Sequence, residues 1–480
     1  MRIKPPAVCG VLVGLCLLQV TQAEAAQPGS NAEADGVRYA AYEGEPGAAS
    51  APVPSAPMPS LAVAHASAVG EPAAENPPAA SEDLGGAMEM SENPMEAAAQ
   101  AWKIRQPAIF QRWGINMGGW VQQGITGNAA NPADRFNGPL ATNDRAGEYQ
   151  LNQAWLYFVR PTKTDGYGTD LGGRVDVVYG TDWRFGMNRG LENRINSADN
   201  FYGLVMPQFY LEAAVNKLTV KMGHYATGMG YEMVPSVGNF FYSHNYLMSY
   251  SEPLLVTGAA ADYQLNEEWT LVGAFHRGWM MFEDTNDGLD FLGGLRWKSE
   301  DKRTGLSMLV DAGDQTDFFG VDRYRIVYAL VFTHQFNPKL AYALQHNYGW
   351  EQGGAIQPIN NPGGDARWYG LCQWLTYTLT PKLALGGRFE WFRDNDGDRV
   401  AGVGGWIGSN RGWQGAPGFA GDFYECTVGL NWRPHSNFLL RPELRYDWYN
   451  GTRNLQNQFP FDDGARRDQF TFAVDLVTTF

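Results

Sequence analysis

The chain has 480 residues and a formal net charge of −15; charged residues make up 18% of it and aromatic residues 13%. This acidic balance gives no support for nucleic-acid binding, which needs clustered lysine and arginine. Glycine and all three aromatic residues are plentiful, and aromatic side chains favour half-buried strands. Beyond the N-terminus there is no long apolar run, which excludes a protein built from transmembrane helices.

The first 25 residues predict a secretory signal peptide. Arg2 and Lys4 give it a basic start, and the apolar run that follows is too short for a spanning helix. A cleavage site of the A-x-A type ends it at Ala25. Cleavage would leave Cys372 and Cys426, too few for a disulfide-scaffolded protein. We therefore expect two free thiols on separate, non-adjacent strands.

Residues 26–100 consist largely of Ala, Pro, Glu, Ser and Gly, with few large apolar side chains. Such a segment cannot bury enough apolar area to offset chain entropy, so we predict that it is disordered. A periplasmic spacer is the favoured interpretation. A tether that contacts the cell wall is the alternative.

From residue 101 to the end, segments of about ten residues alternate between polar and apolar side chains, which is the strand pattern of a membrane barrel. Their connections alternate between tight turns and long loops, an asymmetry that a soluble β-sandwich does not need. We therefore predict an all-β fold over residues 101–480, a transmembrane antiparallel β-barrel of about 16 strands. The candidate strands are 114–126, 149–160, 169–182, 205–215, 218–226, 254–264, 268–280, 289–298, 304–312, 324–336, 339–350, 366–379, 382–392, 421–432, 437–449 and 467–480.

The two faces of each strand differ. In "KLALGGRFEWF", Leu385 and Trp391 share one face, whereas Arg388 and Glu390 share the other. A barrel of this size is too wide for side chains to fill, so the polar face should line water and the apolar face lipid. Two tryptophan bands would mark the membrane interfaces. They comprise Trp269, Trp297 and Trp432 near the short turns, and Trp279, Trp350, Trp391 and Trp448 near the long loops.

Two stretches carry a family resemblance. One reads K-x-G-x-x-x-T from Lys221, then G-Y-E at Gly230–Glu232 and N-F-F-Y-S-H at Asn239–His244. The other is "GRFEWFRDNDGDRV", from Gly387 to Val400. Over 114–480 the chain resembles the OmpL-like family of β-barrel porins. The resemblance implies an outer-membrane porin without naming its solute.

The predicted function is passive diffusion of small hydrophilic solutes or ions through a water-filled barrel. Counted along the chain, the third long loop is 227–253, and in general porins the third loop often folds into the lumen and forms the constriction. We expect no catalytic residue and no cofactor. The constriction-loop candidates are Glu232, Asn239, Ser243 and His244. The pore-lining candidates, which would set selectivity, are Arg174, Arg296, Arg388, Glu390, Arg441, Glu443, Arg445 and Asp447.

Two other chemistries remain open. Asp394, Asp396 and Asp398 in "DNDGD" resemble the start of a Ca²⁺ loop, but the acid expected at position twelve is missing, so a solvated turn is favoured. Ser243 and His244 would suit a barrel enzyme, although adjacent residues rarely point together. An outer-membrane enzyme and a structural or adhesive barrel that binds a partner through its long loops are the alternatives to a porin.

The C-terminal segment "RDQFTFAVDLVTTF" alternates up to Phe480 and predicts the closing strand, paired with the first strand near Ile115. The terminal aromatic also resembles the signal that the barrel assembly machinery recognises. The expected partners are this machinery, outer-membrane lipid and small solutes, with the N-terminal segment in the periplasm. A homo-oligomer is left open.

Overall fold

The computed structural model describes residues 102–197, 200–316, 321–355, 364–400 and 418–480, which form a closed antiparallel β-barrel. Each strand pairs with its neighbour in the sequence, and the last strand pairs with the first. Two short segments pair with the same strand, so seventeen segments make sixteen barrel strands. The predicted signal peptide and the segment 26–100 lie outside the described residues.

The strands are β1 (Asn116–Asn128), β2 (Tyr149–Arg160), β3 (Thr169–Gly180), β4 (Gly203–Val205), β5 (Phe209–Val215), β6 (Leu218–Ala226), β7 (Leu255–Gln264), β8 (Trp269–His276), β9 (Asp290–Lys298), β10 (Thr304–Thr316), β11 (Asp322–Asn337), β12 (Leu340–Glu351), β13 (Ala366–Thr380), β14 (Leu383–Asp394), β15 (Gly421–His435), β16 (Phe438–Gly451) and β17 (Asp468–Thr479). The helices are α1 (Ala108–Trp113), α2 (Trp183–Gly186), α3 (Glu192–Ile195) and α4 (Tyr246–Tyr250). In the described ranges, no helix is long and apolar enough to span a membrane.

The predicted two faces are confirmed along the strands. On β14, Leu385 is 40% exposed on the outer face, whereas Arg388 on the inner face is fully buried. On β17, Phe472 is 55% exposed and Asp475 is buried. The pattern is inverted relative to a soluble protein because the outer surface of a membrane barrel meets lipid and its inner surface meets polar groups.

The connections also follow the predicted asymmetry. Tight turns such as 216–217, 338–339 and 381–382 lie at one end of the barrel, whereas loops such as 129–148 and 227–254 lie at the other. We call these the short-turn end and the long-loop end. Long loops at one end supply enough chain to fold back over or into the lumen.

Most of the tryptophans lie where the sequence placed them. Trp269 and Trp297 are neighbours on adjacent strands near the short-turn end, with ring centroids 6.3 Å apart. At the long-loop end, the indole of Trp391 donates to Asp422 at 3.0 Å. Trp279 was assigned wrongly to this band. It lies beyond the end of β8, is only 2% exposed, and donates to the inward-facing Asp311.

Both chain ends meet at the short-turn end. Phe480 exchanges two backbone hydrogen bonds with Gly119, of 3.0 and 3.1 Å, which confirms the closing strand but moves its pairing from Ile115 to Gly119. Trp102 exchanges two hydrogen bonds with the side chain of Asn437, in the β15–β16 turn. Cys372 and Cys426 are buried free thiols on β13 and β15, as expected.

Candidate functional site: the inward-folded third loop

The loop between β6 and β7, residues 227–254, packs against the inner face of the barrel. We call it the third loop. Its helical turn α4 is buried along its whole length. The side chain of Asn245 caps this turn by accepting a hydrogen bond from the Met248 backbone N–H at 2.9 Å. A buried loop must satisfy its backbone polar groups, and here charged side chains of the wall do so.

Arg388 joins the wall to the third loop through several hydrogen bonds. Its guanidinium donates to the Glu232 carboxylate at 2.6 Å and to the Ser243 backbone carbonyl at 2.7 Å. Its Nε donates to Glu425 on β15 at 2.6 Å. Burial would raise the pKa of Glu232, but Arg388 and the hydrogen bond to His244 outweigh it and hold that pKa at about 2. Glu232 is therefore an ionised, paired carboxylate across the neutral range.

Two glutamates of the wall accept hydrogen bonds from backbone N–H groups of the third loop. Glu443 on β16 accepts the N–H groups of Tyr242 and Ser243, at 2.8 and 3.1 Å. Glu390 on β14 accepts those of Tyr246 and Leu247, at 2.6 and 2.7 Å. A buried N–H group without an acceptor would cost about 1–3 kcal/mol, and these two side chains supply the acceptors. The start of α4 and the residues 242–243 before it are thus fixed to the wall.

Two wall arginines bind the opposite set of loop groups, the carbonyls. Arg441 donates to the Ser236 and Asn239 carbonyls at 2.8 and 2.7 Å. Arg445 donates to the His244 carbonyl at 2.6 Å. Both guanidiniums also pair with wall carboxylates, Arg441 with Asp475 and Arg445 with Asp447. The loop therefore completes a charge network that the wall strands begin.

Two other parts of the third loop, near its start and near its end, are anchored to β2 and β12. Glu252 accepts a hydrogen bond from Asn347 on β12 at 2.9 Å and another from Gln345 at 3.1 Å. Gln153 on β2 donates to the Val234 carbonyl at 2.8 Å. Together with the contacts above, these anchors place the loop against β2 and the arc from β12 to β16.

The predicted site residues thus divide into three groups. The wall charges Arg388, Glu390, Arg441, Glu443, Arg445 and Asp447 all contact the third loop and are buried. Arg174 on β3 and Arg296 on β9 lie on another part of the wall. The loop candidates Glu232, Asn239, Ser243 and His244 are all buried in the anchored loop.

Ser243 and His244 have separate partners. The Ser243 hydroxyl accepts a hydrogen bond from Arg388 at 3.0 Å, and the His244 imidazole bonds to Glu232 at 3.0 Å. Asn239 has an internal role, because its amide donates to the Met233 carbonyl and its oxygen accepts the Met233 N–H. These contacts fix the shape of the loop.

The wall on β3 and β5–β9 carries a second set of charges. Arg174 pairs with Asp176 at 2.9 Å, and its side chain is 23% exposed. Arg296 pairs with Asp262 at 3.4 Å. The Lys221 ammonium lies 4.7 Å from the centre of the Tyr225 ring and 5.6 Å from that of Tyr210. The hydrogen bonds described above, which anchor the third loop, end on other strands.

Part of this second wall was not predicted from the sequence. Lys221, Glu212 and Asp262 were not among the predicted pore residues, although all three occupy inward positions. Two signals were available. Lys221 opens the motif that carries the family resemblance, and Glu212 interrupts the apolar residues of its strand at an inward position.

The acidic loop "DNDGD" binds protein donors. The Asp394 carboxylate accepts the N–H groups of Asp398, Arg399 and Val400. Asp396 accepts the Arg367 N–H at 3.0 Å. Within the described part of the chain, two groups place three potential metal ligands close together, and neither contains these aspartates. They are His276 with Asp290 and Asp311, and Cys372 with Glu390 and Glu425.

The solved structures that this chain matches include an outer membrane protein and an anion-selective porin. OmpT of Vibrio cholerae, folded in vitro, matches at 11% identity with a TM-score of 0.46, over 76% of this chain and 97% of that one. The anion-selective porin from Comamonas acidovorans matches at 10% identity and 0.46, over 76% and 99%. A trimer form of the Vibrio cholerae OmpT matches at 10% and 0.44, over 76% and 99%. No curated protein sequence gives a significant match.

The family assignment comes from the sequence itself. The family model described as "Putative beta-barrel porin-2, OmpL-like" matches residues 114–480. These bounds agree with the barrel, whose first strand begins at Asn116 and whose last residue is Phe480. The chain therefore belongs to the OmpL-like family of outer-membrane β-barrel porins.

Proposed function

We propose that this porin lets small hydrophilic solutes or ions diffuse passively across the outer membrane, through a lumen that the third loop narrows. The observation that carries the proposal is the one-sided anchoring of the loop. Its hydrogen bonds run to β2 and to β12–β16, whereas the charged wall on β3 and β5–β9 has its own ion pairs. The passage would follow that second wall.

The chemistry of the second wall suits hydrated solutes. Arg174, Lys221 and Arg296 supply positive charge, and Glu212 and Asp262 supply negative charge. Fixed charges of both signs create an electric field across a narrow passage. Their interactions replace part of the hydration shell of a polar solute, whereas an apolar solute gains no such interaction and enters less easily. No step in this mechanism consumes energy or changes the solute chemically.

The orientation of the barrel follows from the same proposal. The short turns would face the periplasm, as in porins generally, and residues 26–100 would lie in that compartment. The hydrogen bonds between Trp102 and Asn437 support this arrangement because they fix the start of the described chain at the short-turn end. The long loops would then face the outside.

The test is single-channel conductance in planar bilayers, with protein purified from outer membranes. We expect discrete current steps in potassium chloride. Shortening the third loop tests directly whether it narrows the lumen. Deleting residues 236–242 should increase the step size, whereas deleting residues 456–458 from an outer loop should not. The absence of conductance from correctly inserted protein would refute the proposed function.

A further inference from the structure

Three inward-facing side chains meet near the long-loop end, outside the third-loop contacts. They are His276 at the end of β8, Asp290 at the start of β9, and Asp311 on β10. One potential ligand atom from each lies within 4.8 Å of the others. We propose that these residues form a binding site for a divalent transition-metal ion, with Zn²⁺ as the best match.

The strand register creates this grouping. His276 lies directly opposite Asp290 in the β8–β9 pair, and Asp311 lies opposite Leu292 in the β9–β10 pair. Gly313 leaves the space that the Asp290 carboxylate occupies. A Cβ atom at position 313 would lie 1.9 Å from the Asp290 Oδ1 atom. Any other residue at 313 would therefore displace this carboxylate.

Two buried carboxylates share one imidazole in this cluster. Asp311 pairs with His276 at 2.6 Å, and in the described ranges neither aspartate forms an ion pair with a lysine or arginine. The neighbouring Arg325 pairs with Glu351 at 2.7 Å instead. Both aspartates and His276 are at most 1% exposed. Buried carboxylates need a compensating charge, and one divalent ion would balance two of them.

One carboxylate oxygen also has no donor. Among the described residues, Gln315 is the one hydrogen-bond donor to Asp290, and it donates to Oδ2. The Oδ1 atom accepts no hydrogen bond from a described residue and is therefore available to a ligand.

The ligand types favour a transition metal over Ca²⁺ or Mg²⁺. An imidazole nitrogen with carboxylate oxygens suits Zn²⁺, whereas the alkaline-earth ions prefer oxygen alone. The His276 Nε2 and Asp311 Oδ2 atoms are 2.6 Å apart and share a proton. On binding, the Nε2 atom would take the ion and the proton would move to Nδ1. The hydrogen bond from the Gly278 N–H to Nδ1 would then be lost.

Residues around the cluster orient its ligands. The Trp279 indole donates to the Asp311 Oδ1 atom at 2.7 Å, and its backbone N–H donates to Gln315 at 3.0 Å. Such outer contacts fix the direction of metal ligands in proteins. Since Trp279 lies in the loop 277–289, a bound ion would help to hold this loop against the wall.

The test is metal binding by the full chain without an affinity tag, stripped with chelator and titrated with Zn²⁺ by calorimetry. We expect about one equivalent to bind, with anomalous scattering at the cluster in crystals. His276→Gln and Asp290→Asn should each weaken binding at least about tenfold. The controls are His346→Gln and Asp314→Asn, which change the same residue types on the outer face.

Heat-modifiable gel mobility would show that each variant has formed its barrel. If His276→Gln does not fold, the isosteric Asp290→Asn decides. Failure of the stripped protein to take up Zn²⁺ would overturn the proposal, as would unchanged binding by Asp290→Asn. Higher thermal stability of Asp290→Asn without any Zn²⁺ uptake would show that protons balance the charge, and would overturn it too.

Discussion

Arg388 of the wall and Glu232 of the third loop approach to 2.6 Å, although 156 residues separate them in the sequence. The contact joins the most buried arginine of β14 to the loop segment that the family motif contains. Because both charges are away from water, each depends on the other for compensation. The position of the third loop therefore depends strongly on this pair.

Replacing Arg388 with methionine should release the third loop. Removing one partner of a buried ion pair costs about 3–5 kcal/mol, because the other charge is left unpaired. We expect a lower unfolding temperature on heat-modifiability gels, and larger and noisier current steps. Arg393→Met is the matched control, since Arg393 is also on β14 and pairs with Asp422 at a more exposed place. Equal effects of the two substitutions would contradict the role of Arg388.

The same pair predicts a pH dependence. The pKa of Glu232 is about 2 in the folded protein, below its ordinary value of 4.5. Its contribution to stability is therefore fully present above about pH 4.5 and is lost as the pH falls towards 2. We expect a steady current from neutral pH down to about 4.5, and increasing noise below that. Glu232→Gln should be noisy at every pH, and an acid response identical to that of the wild type would count against this explanation.

The fold was largely predictable from the sequence, because each strand meets lipid on one face and polar groups on the other. Leu385 and Arg388 illustrate this two-residue period. The position of Trp279 was not predictable, since a tryptophan just beyond a strand can turn outward to the interface or inward to a carboxylate. Here the inward-facing Asp311 binds its indole.

The site was predictable in part for a similar reason. Period two identified Arg388, Glu390, Arg441 and Glu443 as inward-facing, but it could not show that a loop would cover them. That depends on contacts such as the one between Glu443 and the Tyr242 N–H, which are 201 residues apart. Lys221 was not predicted as a pore residue because most of its neighbours on β6 are apolar or uncharged.

Reversing the charge of Lys221 should change ion selectivity. Its ammonium lies on the second wall, close enough to Asp262 and Glu212 for their charges to act on it. Lys221→Glu would leave negative charge in excess there, so we expect the reversal potential in a salt gradient to shift towards cation preference. Lys217→Glu, in the exposed β5–β6 turn, is the matched control. A shift of the same size in both variants would place the passage elsewhere.

Glu390→Gln should weaken the anchor of α4. The glutamate accepts the N–H groups of Tyr246 and Leu247 with its two oxygens, whereas glutamine has one acceptor oxygen. A buried N–H left without a partner costs about 1–3 kcal/mol. We expect faster cleavage of the third loop by an added protease and a lower unfolding temperature. Glu267→Gln, in the exposed β7–β8 turn, should change neither.

Phe480 has two separable roles, and two variants distinguish them. Its backbone closes the barrel through Gly119, and its side chain is the predicted signal for the barrel assembly machinery. Phe480→Ala keeps both backbone hydrogen bonds, so it should refold normally in detergent but insert poorly into the outer membrane. Deleting Phe480 removes those bonds as well, and should also slow refolding in detergent. Insertion would be measured as heat-modifiable protein in membrane fractions, and refolding from the same gel shift. Normal insertion of Phe480→Ala would limit the role of the residue to closing the seam between β1 and β17.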